Sequence, residues 1–167
     1  MISRKKNSEE VEKIKRQHKR PIVFISMGAS AEIEGEIDVS ELPYDILFTR
    51  GITFSGENAF ELPIDMINTP DYIAAADYVI VKGGWSTVAE VMLENKPAGL
   101  LFRGDFSEDN ETRGFLTSRD HCVEVTEADI HDLQGILKRL DSLHPAPFSQ
   151  YKDDTVKICE EIMRINR

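Results

Sequence analysis

Four continuous apolar runs stand out along the chain: residues 21–26 (PIVFIS), 45–49 (DILFT), 78–81 (YVIV) and 98–102 (AGLLF). None alternates between apolar and polar positions, which predicts strands buried on both faces of a parallel sheet. Residues 122–126 read as a last strand and 59–62 as a brief one before Pro63. Between these runs the apolar spacing turns helical. Thr69 followed by Pro70 reads as an N-cap and first helical position opening a helix over 69–76. Residues 87–95 carry Val88, Val91 and Met92 on one face. Helices are also predicted over 111–118, over 127–143 (Ile130, Leu133, Ile136, Leu137, Leu140) and over 150–165 (Ile158, Ile162). The acidic stretch 32–38 has room only for a short helix, and residues 52–58 and 103–110 read as loops.

The helix–strand–helix–strand succession over 65–102 implies right-handed crossovers. The fold class expected is α/β: a Rossmann-like, doubly wound parallel sheet in three layers. The domain expected spans 21–147, preceded by a basic helix or linker over 1–20 and followed by a C-terminal helix over 148–167.

Composition agrees with one folded unit. The chain has 167 residues, 41% of them apolar, and a chain of that length buries roughly 70% of its unfolded surface. Charge changes the picture more. Twenty basic and thirty acidic residues give −10, but residues 1–20 carry eight basic and three acidic side chains. The head is thus +5 and the remaining 147 residues −15. A body of that charge repels phosphate backbones, which argues against nucleic acid as a partner. The basic head reads either as a solvated helix or as a peripheral contact for an anionic membrane or a partner.

Cys122 and Cys159 lie 37 positions apart with no CxxC spacing, so two buried, reduced thiols are expected. The four histidines are scattered, and no metal is expected. No apolar stretch approaches the ~18 residues of a membrane span. The polar first twenty residues do not resemble a signal peptide, and a cytoplasmic location is expected.

Chemistry concentrates at two glycine turns on strand-to-helix corners. Gly28-Ala29-Ser30 follows the first strand, and Gly83-Gly84-Trp85-Ser86-Thr87 follows the strand at 78–81. Glycine lets backbone N–H groups approach an anion, and a helix N-terminus adds unpaired amides and a positive dipole end. Two such turns on neighbouring strands suit a diphosphate held from both sides. The plainer alternative is that both merely reverse the chain, with Ser86 or Thr87 as an ordinary N-cap. Neither turn is a GxGxxG or a P-loop motif.

The residues around the second turn carry a resemblance. Residues 72–81 (YIAAADYVIV), 82–90 (KGGWSTVAE) and 95–102 (NKPAGLLF) resemble the C-terminal, donor-binding half of GT-B glycosyltransferases, over roughly 21–143. The branch most similar adds N-acetylglucosamine to lipid I in bacteria; split, soluble donor-binding subunits also occur in the family. The resemblance implies that Gly28 and Ser30, with Gly84, Trp85, Ser86 and Thr87, face the donor phosphates. It implies that Glu90 accepts hydrogen bonds from the ribose hydroxyls, one turn from Thr87 on the same helix face. Without the resemblance, Glu90 reads as an ordinary surface glutamate. The base would lie against Leu62, Pro63 and Ile64, and the sugar near Asp109, Asn110 and Glu111.

Ala29 replaces a second glycine, and Asn110-Glu111 stand where glutamines are common. Four acids at 32–38 follow the first turn, so Arg50, Lys82 or Arg103 would have to offset their charge against a diphosphate.

The resemblance implies an inverting transfer from a UDP-sugar, hexosyl or N-acetylhexosaminyl, with no cofactor beyond that donor. It places no catalytic base on these residues, so an acceptor-binding domain or separate subunit is the partner implied, at the inner face of a membrane. The alternatives are a fragment of a nucleotide-sugar hydrolase or 2-epimerase and a non-catalytic Rossmann-like interaction module.

Overall fold

The structure, a computed structural model, describes residues 5–28, 33–64, 68–102, 107–144 and 154–165. Its strands are β1 (Ile22–Ser26), β2 (Glu36–Asp38), β3 (Asp45–Phe48), β4 (Thr53–Ser55), β5 (Ala59–Glu61), β6 (Tyr78–Lys82), β7 (Ala98–Leu101) and β8 (Cys122–Val125). Six of them form one sheet in the order β5-β3-β1-β6-β7-β8, every pair parallel. The four continuous apolar runs became its central strands, and β1, β3 and β7 are buried almost without interruption.

The helices are α1 (Ser8–Gln17), α2 (Thr69–Ala75), α3 (Trp85–Leu93), α4 (Ser107–Thr117), α5 (Leu133–Asp141) and α6 (Thr155–Ile165). Strand alternation sorts the core into two layers. Phe24, Leu47, Val79, Val81 and Leu100 pack on one face with α1, α2, α3 and the end of α4. Val23, Ile25, Ile46 and Ile80 pack on the other with α5 and the segments around β2 and β4. This is a doubly wound, Rossmann-like α/β fold in three layers, as the hydrophobic pattern predicted.

Several expectations are corrected. The acidic stretch forms strand β2 rather than a short helix, and β4 lies in the expected loop. These two strands pair in parallel as a small second sheet. Each is three residues long with one buried centre, Ile37 or Phe54, too short for a periodic signal. The helix expected over 127–143 is divided: a 3-10 turn at Asp129–His131 precedes α5. Asp132 caps α5, its carboxylate accepting from the Gly135 amide at 3.0 Å. Asn68, not Thr69, stands at the N-cap of α2. Helix α4 begins at Ser107, four residues before its expected start, inside the expected polar loop.

Within the basic head, helix α1 is docked on the sheet by its apolar face while its charged face stays exposed. Val11 and Ile14 of α1 are buried in the first core layer, and Lys6 pairs with Glu94 at 2.6 Å. Three residues apart, the two apolar side chains share one helix face. Cys122 is buried as expected, but Cys159 is exposed on α6, a helix that buries none of its residues. Among the described residues, no helix is long and apolar enough to cross a membrane.

Candidate functional site

Strand order reverses between β1 and β6: the chain moves one way from β1 to β3 and the other from β6 to β7. In open α/β sheets this switch point opens a crevice at the strands' carboxyl ends, because the two departing chains leave on opposite faces. Here the segment after β1 joins the layer of Ile33 and Ile37, whereas α3 joins the layer of Val88 and Met92. Both predicted glycine turns therefore flank one crevice. The register sets Ser26 beside Val81, so Gly28 and Gly83 leave the sheet at similar heights.

Gly28 adopts φ +70°, a left-handed conformation that L side chains rarely adopt. The Ser26 hydroxyl, on the last residue of β1, accepts from the Thr49 hydroxyl at 3.2 Å. This ties the β1 and β3 exits together. Ser30, with Ala29, lies outside the described residues.

The adjacent glycines of the second turn differ in purpose. A Cβ on Gly83 would fall 2.5 Å from Phe102 Cδ1, so ring packing alone demands glycine there. A Cβ on Gly84 would meet nothing within 4 Å, and its φ of −71° and ψ of 138° suit any residue. Among the described residues, nothing requires glycine at 84. Gly84 is the N-cap of α3, which has no side-chain cap. The alternative of Ser86 or Thr87 as the cap is thereby excluded. Both lie inside the first turn with Trp85, which is 54% exposed. The first amides of the helix and its positive dipole end therefore lack a hydrogen bond from the N-cap side chain.

Glu90, one turn further, is buried at 7% exposure and is not the surface glutamate that the residue alone suggests. Asp109 is fully buried, while Asn110 and Glu111 are exposed. All three lie in the first turns of α4, after the carboxyl end of β7. Leu62 is half-buried and its amide donates to the Phe48 carbonyl at 2.8 Å. Pro63 has no N–H, so of the three predicted base-contacting residues only Ile64 has an amide to offer. Beside β3 and β5, on the same edge of the sheet, a cleft of about 370 Å³ lies between Phe48, Arg50, Phe54 and Glu61. Its only signal in the sequence is the Arg50-Gly51 stop after a buried strand. Among the described residues, no cluster of His, Cys, Asp or Glu could hold a metal ion.

No family model matches the sequence, and no curated protein matches it. Among solved structures, the crystal structure of the glycosyltransferase SnogD from Streptomyces nogalater superposes with a TM-score of 0.53 at 10% identity. The match covers 87% of this chain and 44% of that one, so the chain spans less than half the length of this neighbour. At that identity the likeness is one of fold: the chain has a glycosyltransferase-like, Rossmann-type fold.

Proposed function

We propose that this chain is the donor-binding domain or subunit of an inverting glycosyltransferase. Its donor is a nucleotide-sugar, with UDP-sugars first among the candidates and a hexosyl or N-acetylhexosaminyl group transferred. The observation that carries the reading is Gly84: a glycine its own backbone does not need, with no described atom within 4 Å of where a side chain would begin, capping a helix with no side-chain cap at the switch point of the sheet. The diphosphate sits against Gly84 and the amides of Trp85, Ser86 and Thr87, with Gly28 and Ser30 on its other flank. Glu90 takes the ribose hydroxyls, the segment 62–64 the base, and Asp109, Asn110 and Glu111 the sugar.

The part of the reaction these residues perform is stabilisation of the departing nucleoside diphosphate. Charge builds on its β-phosphate as the glycosidic bond breaks, and fixed amides at a helix N-terminus stabilise that charge without reorganising. Deprotonation of the acceptor hydroxyl requires a base, which we assign to an acceptor-binding domain or partner subunit. The lipid I N-acetylglucosaminyltransferases are the family branch we favour, with a membrane-bound acceptor on the cytoplasmic side. The exposed apolar side chains of α6, Val156, Ile162 and Met163, are the surface we expect such a partner to cover.

Calorimetric titration with UDP, GDP and dTDP tests the reading. Saturable binding of one of them is expected. Glu90→Ala should then weaken it by about 1–3 kcal/mol, the value of hydrogen bonds to a charged acceptor; unchanged affinity would remove Glu90 from the ribose site. Binding of none leaves the fold as a non-catalytic interaction module.

A further inference from the structure

We propose that the exposed face of α1, with the basic run that follows it, is a docking surface for an anionic membrane. The inference stands apart from the nucleotide reading, because it concerns the opposite ends of the strands. Helix α1 lies across the amino edge of the sheet. Lys6 pairs with Glu94 just beyond α3, and His18, at the C-cap of α1, meets Asp45 at the start of β3. Val11 and Ile14 are turned into the core, which leaves the charged positions outward. Residues 15–20 (KRQHKR) hold four cations and no carboxylate, and Lys15, Arg16, Lys19 and Arg20 are all exposed.

Earlier on the helix, charge is met locally: Lys13 pairs with Glu10 at 3.1 Å, and Lys15 more loosely with Glu12 at 3.9 Å. Among the described residues, Arg16, Lys19 and Arg20 have no ion-pair partner. Half-buried Lys96 stands beside this strip. Burial holds its pKa below the ordinary lysine value, and the charges of Lys15 and Lys6 press the same way against Asp77 and Glu94. Like charges are thus gathered on one edge of a body that is otherwise strongly acidic, the arrangement an anionic surface relieves. Phe60, 38% exposed, stands edge-on to His18 with ring centroids 4.9 Å apart. An exposed ring beside long cationic side chains suits the headgroup boundary, where the ring enters and the charges stay among phosphates. A flat leaflet meets only this edge, whereas a flexible polyanion would meet the acidic body as well. His18, held by Asp45, fixes the run to the sheet, so contact orders little that is not ordered already. Because the apolar face of α1 is taken up by the core, the attraction is electrostatic and reversible, and the crevice at the carboxyl ends stays open.

The test is co-sedimentation of the full chain with vesicles of phosphatidylcholine alone and of phosphatidylcholine mixed with phosphatidylglycerol. Binding is expected to the mixed vesicles only, and added salt should release it. Lys19→Gln/Arg20→Gln should weaken it about tenfold to thirtyfold, near fivefold per cation. Lys138→Gln/Lys157→Gln, which removes the same charge from exposed positions elsewhere, should bind within about twofold of wild type. Trp85, the chain's one tryptophan, lies at the carboxyl edge, so its emission should not move when vesicles are added; in Phe60→Trp a blue shift should appear. Equal binding to both vesicles, none to either, or unchanged binding by the Lys19/Arg20 variant overturns the proposal. A shift of Trp85 emission in wild type would put the other edge on the membrane and overturn it too. Retention by an oligonucleotide but not by the mixed vesicles would assign the strip to nucleic acid instead. None of these outcomes bears on nucleotide binding, which is read separately.

Discussion

The two edges of the main sheet are built on different principles. At the amino-terminal edge, polar groups are paired within the fold. The Ile22 amide donates to the Asp77 carboxylate at 2.7 Å while the Asp77 amide donates back to the Ile22 carbonyl at 2.8 Å. Asp45, opening β3, meets His18 Nδ1 at 3.1 Å, and the His18 ring stands edge-on to Phe60. Lys96 donates to the Ala74 and Ala76 carbonyls, closing the C-terminus of α2. Asp71 accepts from the Asn7 amide at 2.6 Å and anchors the start of α1. The carboxyl edge holds a left-handed Gly28, an open Gly84, a helix without a side-chain cap and an exposed Trp85. Departures from local optimisation gather where a ligand is expected, and the opposite edge supplies the stability that tolerates them.

That contrast can be broken from either side. The largest effect is expected at the amino edge: Ile14→Ala, which hollows the α1 contact with the core, should cost about 2–5 kcal/mol. The urea midpoint should fall at constant slope, with nucleoside diphosphate affinity unchanged. A change in affinity would mean the edges are coupled. Next comes the pair of glycines. Gly83→Ala drives a methyl into Phe102 and should cost about 1–3 kcal/mol, whereas Gly84→Ala should alter stability by under ~0.5 kcal/mol. Equal costs at the two positions would remove the reason for reading Gly84 as a ligand cradle.

A last, pH-dependent effect concerns Tyr78 at the start of β6, whose hydroxyl donates to Asp141 at 2.6 Å. That hydrogen bond, and next the loss of hydration, hold the phenol's pKa well above its ordinary value. A raised folded-state pKa gives stability that is complete below pH ~10 and lost as pH rises through the folded value. Tyr78→Phe should therefore cost about 1 kcal/mol at neutral pH. Its difference from wild type should shrink in unfolding experiments above pH ~10.

Strands that bury both faces announced themselves in the sequence, because a continuous β-branched run has few other places to go. Ile22 to Ile25 and Tyr78 to Val81 are the clearest cases. Strands β2 and β4 did not, since one buried residue between two exposed ones carries no period. The division of the last long helix turned on Asp132, whose carboxylate closes on the Gly135 amide. An aspartate within an apolar heptad-like run looks like a surface position until that bond is seen. In α1, Val11 and Ile14 are only two apolar positions within a head of eight basic residues, yet they decide where the helix goes. At the site, both glycine turns were legible as corners, but the sequence could not separate Gly83 from Gly84. That distinction depends on the Phe102 ring, nineteen residues beyond Gly83.

The most direct test of the central claim is to follow backbone amide resonances of the isotopically labelled chain during titration with UDP, GDP and dTDP. The account predicts saturable shifts for one of them at Gly28, Gly84, Trp85, Ser86 and Thr87, with the amides of Ile22, Asp45 and Asp77 unmoved. Shifts centred on the amino edge, or none at the Gly84 turn under saturation, would contradict it.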